Sequence, residues 1–124
     1  MSNTNNHPAV MFEIMALNQQ NLCRFYSHVF GWTFQKQANG FMLIQFPQAS
    51  QMLLGGIGSA ITNQLGYQKG TAFYLSVPDV GVWLQKVQQN GGTVAVPVTS
   101  LPGFTFGMFY DPENNLVGLL QQTS

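Results

Sequence analysis

Hydrophobic and polar positions divide the chain into two similar halves, each opening on a strand pattern that gives way to a helix pattern. From Val10 to Leu17 the residues alternate, with Val10, Phe12, Ile14 and Ala16 on one side and Met11, Glu13, Met15 and Leu17 on the other. Successive strand residues point to opposite faces. The even side is therefore expected to pack on a helix, and the odd side sets one carboxylate in a row of thioethers. Asn18 can cap the following helix, in which Leu22, Phe25, Tyr26 and Val29 fall at the spacing of a buried stripe. Gly31 ends it. Strands are expected at Trp32–Gln37, Phe41–Phe46 and Gln51–Ile57, with Ala38-Asn39-Gly40 as a turn. Ser59–Lys69 is polar and aperiodic and reads as a linker.

The order then repeats. Thr71–Val77 is a predicted strand, Asp79 a cap, and Val80, Trp83, Leu84 and Val87 a second helical stripe closed by Asn90-Gly91-Gly92. Thr93–Val96, Phe104–Tyr110 and Leu116–Gln121 complete the strands, the last two joined by a turn at Asp111–Asn115. A constant offset of 61 residues pairs Phe12 with Phe73, Ile14 with Leu75, Ala16 with Val77, Asn18 with Asp79, Leu22 with Trp83, Tyr26 with Val87 and Gly31 with Gly92. Two copies of a unit cannot form a solenoid, so their sheets are expected to join side by side. The predicted class is α+β: two βαβββ modules, 9–58 and 70–122, joined by linker 59–69 after a disordered leader of residues 1–8. Together they would form a cup-shaped mixed sheet flanked by helices.

Composition narrows the functions. A chain of 124 residues is one domain with its own core. Charged residues are 6% of the chain and the formal net charge is zero. That excludes the basic stripe of a nucleic-acid binder and a polybasic membrane patch. No apolar run approaches membrane-spanning length, and the polar N-terminus lacks a signal-peptide core, so a cytoplasmic protein is expected. Cys23 is alone, which leaves no disulfide framework or cysteine metal knuckle, and it reads as a packing residue. Gly55-Gly56-Ile57-Gly58 lacks the Lys-Ser/Thr of a phosphate loop.

The candidate chemistry centres on Glu13, one of four acidic residues. Setting it on an apolar face requires a partner or a wet cavity, and we take that face as the inside of a ligand cup. Glu13 either contacts a ligand or is a structural carboxylate bonded to backbone, to Tyr74 or at an interface. In a closed apolar cup, desolvation would raise its pKa and fit it for general acid or base work. Tyr74 and Ser76, the mates of Glu13 and Met15, would face the same cup, Tyr74 with a hydroxyl for a polar ligand group or in plain packing. Phe104, Phe106, Met108 and Tyr110 alternate along one strand, as an aromatic wall for a ligand or as ordinary core. Gly107 and Gly118 are expected to leave open volume. His7 and His28 read as solvent-facing, Asp79 as a cap and Asp111 as a turn residue satisfying backbone amides.

Two stretches carry a resemblance. Phe25-Tyr26-Ser27-His28-Val29-Phe30-Gly31-Trp32 resembles the helix end of the vicinal oxygen chelate superfamily, which includes glyoxalases, extradiol dioxygenases and bleomycin-resistance proteins. Asp111 to Gln121 resembles that family's closing hairpin, with Asn115 in place of the usual glycine; Asn tolerates the left-handed conformation. Gly55-Gly56-Ile57 and Pro102-Gly103-Phe104 are similar to the uncharacterised glyoxalase-like branch. The resemblance implies a glyoxalase-like fold over about residues 9–122, and fold membership does not settle chemistry. Metal enzymes of the family draw His, Gln or Glu from four strand positions. Three fall here on Met11, Ala72 and Gly118, and in the fourth strand Gln51 is the only plausible ligand. Catalytic divalent ions need several N or O donors, so no metal and no other cofactor is expected.

Three functions follow as expectations. The first is a metal-free protein that binds a small molecule, an apolar ligand with one polar or cationic group, among Met11, Glu13, Met15, Tyr74, Ser76, Phe104, Phe106 and Met108. The second is a lyase or isomerase of the glyoxalase-related class with Glu13 as its catalytic acid or base. The third is a non-catalytic dimeric scaffold with a filled cup. A homodimer is expected in each case, with no nucleic-acid or membrane partner.

Overall fold

A computed structural model describes residues 7–45 and 54–121. The expectations for residues 1–6, Phe46 and Gln51 lie outside the described residues. The chain divides into two compact units: Met11–Ala72 makes one, and the chain before Met11 together with the chain from Phe73 onward makes the other.

In the first unit, the alternation seen in sequence becomes β1 (Ala9–Ala16, in this unit from Met11), followed by α1 (Gln19–Phe30), β2 (Thr33–Lys36), β3 (Met42–Gln45) and β4 (Leu54–Ser59). Asn18 is the helix cap: its backbone is extended and its side chain accepts the Asn21 amide at 3.0 Å. Gly31 closes α1 with φ 74, a left-handed residue that glycine adopts freely. The strand order is β2-β3-β4-β1, with β4 parallel to β1 and antiparallel to β3. The Gln19 side-chain amide donates to the carbonyls of Gly40, at 3.0 Å, and Ile57, at 2.7 Å, pinning the start of α1 to the hairpin and to β4.

The stripe expected to be buried on α1 is not. Phe25 is 52% exposed and Val29 55%, and no residue of the helix is buried. The reason lies in the surface that α1 meets. Phe12 is opposite Gly55 on β4, and its ring occupies the place of the missing side chain. Trp32 stands beside Phe12, with ring centroids 6.1 Å apart, and stacks on Tyr26 at 4.6 Å. Tyr26 makes this contact, and Phe25 and Val29 fall to its flank.

The second unit holds most of β5 (Gly70–Val77) and all of α2 (Val80–Gln89), β6 (Thr93–Leu101), β7 (Phe104–Tyr110) and β8 (Leu116–Gln121), in the order β5-β8-β7-β6. Here the predicted stripe is core: Val80 and Leu84 are buried with Val77 and Leu119, and Trp83, Leu75, Val94 and Phe109 pack against them. Asp79 caps α2 by accepting the Val82 amide at 3.1 Å, and the Gln121 side chain accepts the Val80 amide at 3.0 Å. β6 runs past its predicted end to Leu101 because the register shifts between Val94 and Val96 and between Val96 and Thr99. At the sheet edge such irregularities accommodate Pro97, which has no amide to give.

The two modules share one connectivity, the first strand of each lying parallel to its last. The offset of 61 holds at the caps Asn18 and Asp79 and fails at the helix ends. α1 has 12 residues and α2 has 10, and the left-handed glycine after α2 is Gly91, φ 99, rather than Gly92. Gly92 is instead a packing glycine, where a Cβ would press on the Val87 side chain and stand 3.0 Å from the Tyr110 carbonyl oxygen.

The closing turn departs from expectation in the same way: Asn114, φ 68, takes the left-handed conformation, not Asn115. Asp111 accepts the amides of Glu113 and Asn115, each at 2.9 Å. The Asn115 amide above all holds its carboxyl below the usual range. His28 is exposed as expected. His7 is not solvent-facing: its Nδ1 lies 3.1 Å from the Ser76 carbonyl oxygen and its ring meets Trp83 edge-on at 4.3 Å. Among the described residues, no helix is long and apolar enough to cross a membrane.

Candidate functional site

In the Met11–Ala72 unit, the odd face of β1 carries Met11, Glu13 and Met15, paired in register with Leu54, Gly56 and Gly58 of β4. Met11 is half-buried, Met15 is buried, and Glu13 is only 7% exposed. The glycines explain how the face is built. Phe41, at the end of the turn before β3, lies with its ring edge (Cε2 and Cζ) where a Gly56 side chain would be. A Cβ on Gly58 would stand 3.0 Å from Met15 Sδ and 3.4 Å from Phe41 Cδ1. The glycine run of β4 is thus a bed for an aromatic ring and a thioether beside Glu13.

The linker in this unit is folded back rather than loose. The Ala60 amide donates to the Ala16 carbonyl at 2.8 Å, and the Ile61 amide to the Tyr67 carbonyl at 2.7 Å. Gly66 turns the chain with φ 81. Tyr67 is close enough to Glu13 for their charges to couple: burial first, and then the negative charge of Glu13, push its phenol above the usual tyrosine range.

Neither Phe41 nor Tyr67 was a candidate from sequence. For Phe41, the available signal was an aromatic entering a strand that pairs with a glycine run. For Tyr67, it was a lone Leu65-Gly66-Tyr67 inside an otherwise polar segment.

A raised phenol pKa means that the folded chain holds its proton at pH values where the unfolded chain has lost it, so stability falls as pH rises through that window. Tyr67→Phe is therefore expected to flatten the alkaline loss of stability, measured as the melting temperature from neutral pH to beyond the usual tyrosine range. An unchanged alkaline slope would contradict the raised phenol.

In the other unit, Tyr74 and Ser76 of β5 pair with Gly118 and Leu120 of β8, which face Met108 and Phe106 of β7. Tyr74 is buried at 4% exposure with its ring over Gly118, and its hydroxyl donates to Met108 Sδ at 3.6 Å. Phe106 meets Tyr74 edge-on with centroids 6.4 Å apart, and Phe104 lies 6.0 Å from Phe106. The structure thus brings Tyr74, Phe104, Phe106 and Met108 together on one face, and Ser76 is buried beside them. Gly118 leaves no open volume, because the Tyr74 ring fills it. Gly107 leaves none either: a Cβ there would stand 2.9 Å from both Leu84 Cδ1 and Val80 Cγ1, on the α2 side of the sheet.

The donor set does not fit the divalent metal that the resemblance implies. Met11, Ala72 and Gly118 offer no nitrogen or oxygen side-chain donor, and Tyr74 covers the place where an acid at 118 would stand. Gln51 is outside the described residues. Among the described residues, no three His, Cys, Asp or Glu side chains come together as a metal site. Burial pushes the Cys23 thiol above its usual range, away from the thiolate that nucleophilic chemistry needs.

Comparison with known proteins agrees with this fold. A Glyoxylase-like domain-containing protein of Didymella fabae is 32% identical over 114 residues, covering 83% of this chain and 84% of that protein. A glyoxalase/bleomycin resistance protein/dioxygenase superfamily member from Vibrio splendidus superposes with a TM-score of 0.60 at 17% identity, over 95% of this chain and 100% of that one. The Streptomyces coelicolor methylmalonyl-CoA epimerase, in complex with 2-nitronate-propionyl-CoA, gives 0.66 at 11% identity, over 94% and 97%. At such identities the two solved structures speak of fold alone. The family model of the Glyoxalase/Bleomycin resistance protein/Dioxygenase superfamily matches residues 9–119, and the chain belongs to that superfamily.

Proposed function

We propose that this protein binds a small, largely apolar molecule on the Glu13 face and does so without a metal ion. The observation that carries this reading is Glu13 itself, a carboxylate with 7% exposure between thioethers and a glycine bed. Burying an ionised carboxylate costs several kcal/mol before its contacts repay it. A face serving only as core would be better filled by another methionine. The expensive group is kept where small-molecule sites place their few polar groups, among apolar and aromatic neighbours.

A thermal-shift screen of small molecules tests this. A ligand that binds only the native state, at a hundred times its Kd, stabilises it by about 2.7 kcal/mol. Hits are expected to raise the melting temperature of the natural sequence and to lose that effect on Glu13→Gln. Hits that act equally on both chains would refute the assignment.

One observation favours a second reading, acid–base catalysis at the same carboxylate. The charge of Glu13 acts on the Tyr67 phenol, and a carboxylate and a phenol within one another's field are groups that acid–base chemistry uses. The fold is shared with a methylmalonyl-CoA epimerase, and epimerisation at an acidic carbon is a reaction such a pair could serve. Solvent deuterium entering a bound carbon acid, and failing to enter with Glu13→Gln, would favour this reading over binding alone.

A further inference from the structure

We propose that the Glu13 face selects ligands carrying one organic cation, a protonated amine on an apolar body, seated between the Glu13 carboxylate and the Phe41 ring. The inference rests on the binding reading above and adds the class of ligand, from an aromatic ring that reading did not need.

Glu13 and Gly56 are register partners on adjacent strands, which puts their backbones about 4.8 Å apart. Phe41 lies directly over Gly56, so ring and carboxylate rise side by side from neighbouring strands. A ring centroid attracts a cation within about 6 Å, a reach that spans this separation. Met15 lies across Gly58, one pleat further along the same face. Its polarizable thioether suits the methylene groups next to an ammonium.

Glu13 favours positive charge by direct attraction and the Phe41 ring by its quadrupole. Burial keeps the attraction strong, because the local dielectric is low. An anion would meet repulsion here, and a neutral molecule would gain only apolar contact. A bare inorganic cation is poorly served, since calcium and magnesium take six or more oxygen ligands and Glu13 supplies one carboxylate. An organic ammonium needs only one anion and aromatic walls.

The test uses three probes of one shape and different charge, benzylamine, benzyl alcohol and benzoate, titrated at neutral pH into the full chain labelled with nitrogen-15. The amides of Glu13, Gly56, Gly58 and Tyr67 are expected to shift with benzylamine, bound roughly tenfold more tightly than benzyl alcohol, and benzoate should be weakest. Glu13→Gln should bring the amine and the alcohol to equal affinity. Phe41→Leu keeps an apolar side chain over the glycines; it should shrink the advantage of the amine while leaving alcohol binding in place, which preserves the test should Glu13→Gln fold poorly. If benzyl alcohol binds as tightly as benzylamine at these amides, the cation class is wrong and the binding reading stands. Tightest binding by benzoate would overturn the proposal by showing a protonated acid. If no probe moves these amides, the cation proposal falls, and the library screen on Glu13→Gln judges the binding reading separately.

Discussion

Gly118→Ala is expected to lower the melting temperature by several degrees, although alanine is the smallest possible addition. The new methyl group would fall inside the Tyr74 ring, against Cδ2 and Cε2. That ring has little room to retreat, because its hydroxyl donates to Met108 Sδ and Phe106 stands edge-on beside it. Met108 is 1% exposed, so the far end of the ring is held by fully buried core. Overpacking of this kind costs about 1–3 kcal/mol, or about 3–6 °C per kcal/mol in a domain of this size. The paired measurement is the same substitution in a Tyr74→Ala background. That background is itself lowered by about 3–5 kcal/mol, but the ring is gone and the second change should cost almost nothing further. Residues in contact are non-additive in this way. Equal losses in both backgrounds would mean that the clash is with something other than Tyr74.

The same glycine shows what the sequence could and could not tell. A glycine in a strand reads equally well as a void and as a socket, and Gly107, Gly118, Gly56 and Gly58 are all sockets. Which ring fills each socket depends on register between strands far apart in the chain, and alternation within one strand does not contain that. Local signals did well. Alternation set the bounds of β7 and β8, the caps Asn18 and Asp79 were visible in residue type and position, and the parity of β1 put Glu13 on the buried face. Periodicity on α1 correctly grouped Phe25 with Val29, but it cannot say whether anything covers that face. Phe41 and Tyr67 were missed for the nonlocal reason: one needs the pairing of β3 with β4, the other the closure of Ile61 onto Tyr67. The pattern over residues 9–119 is that of one superfamily.

Replacing the carboxylate by the thioether that flanks it, Glu13→Met, is expected to make the protein more stable and to make it lose its ligand. Methionine is close to glutamate in length, and its flexible chain fits irregular gaps. Met11 and Met15 already stand on either side, along the same face. If the carboxylate is held for a ligand, methionine removes its desolvation cost, about 1–4 kcal/mol on the scale of apolar replacements of buried ionic groups, and the gain should appear as a higher melting temperature at neutral pH. Any amine ligand would lose its anion and at least tenfold in affinity, because a charge-assisted contact contributes about 1.5–3 kcal/mol. Tyr67 supplies the control. With the negative charge gone, its phenol keeps only the effect of burial, so its titration should move back toward the usual range in the same variant. A chain that instead melts earlier would show the carboxylate to be a structural tie rather than a group held for a ligand. A functional carboxylate and a structural one both survive in the folded protein, but only the functional one should leave the fold better off when it is taken away.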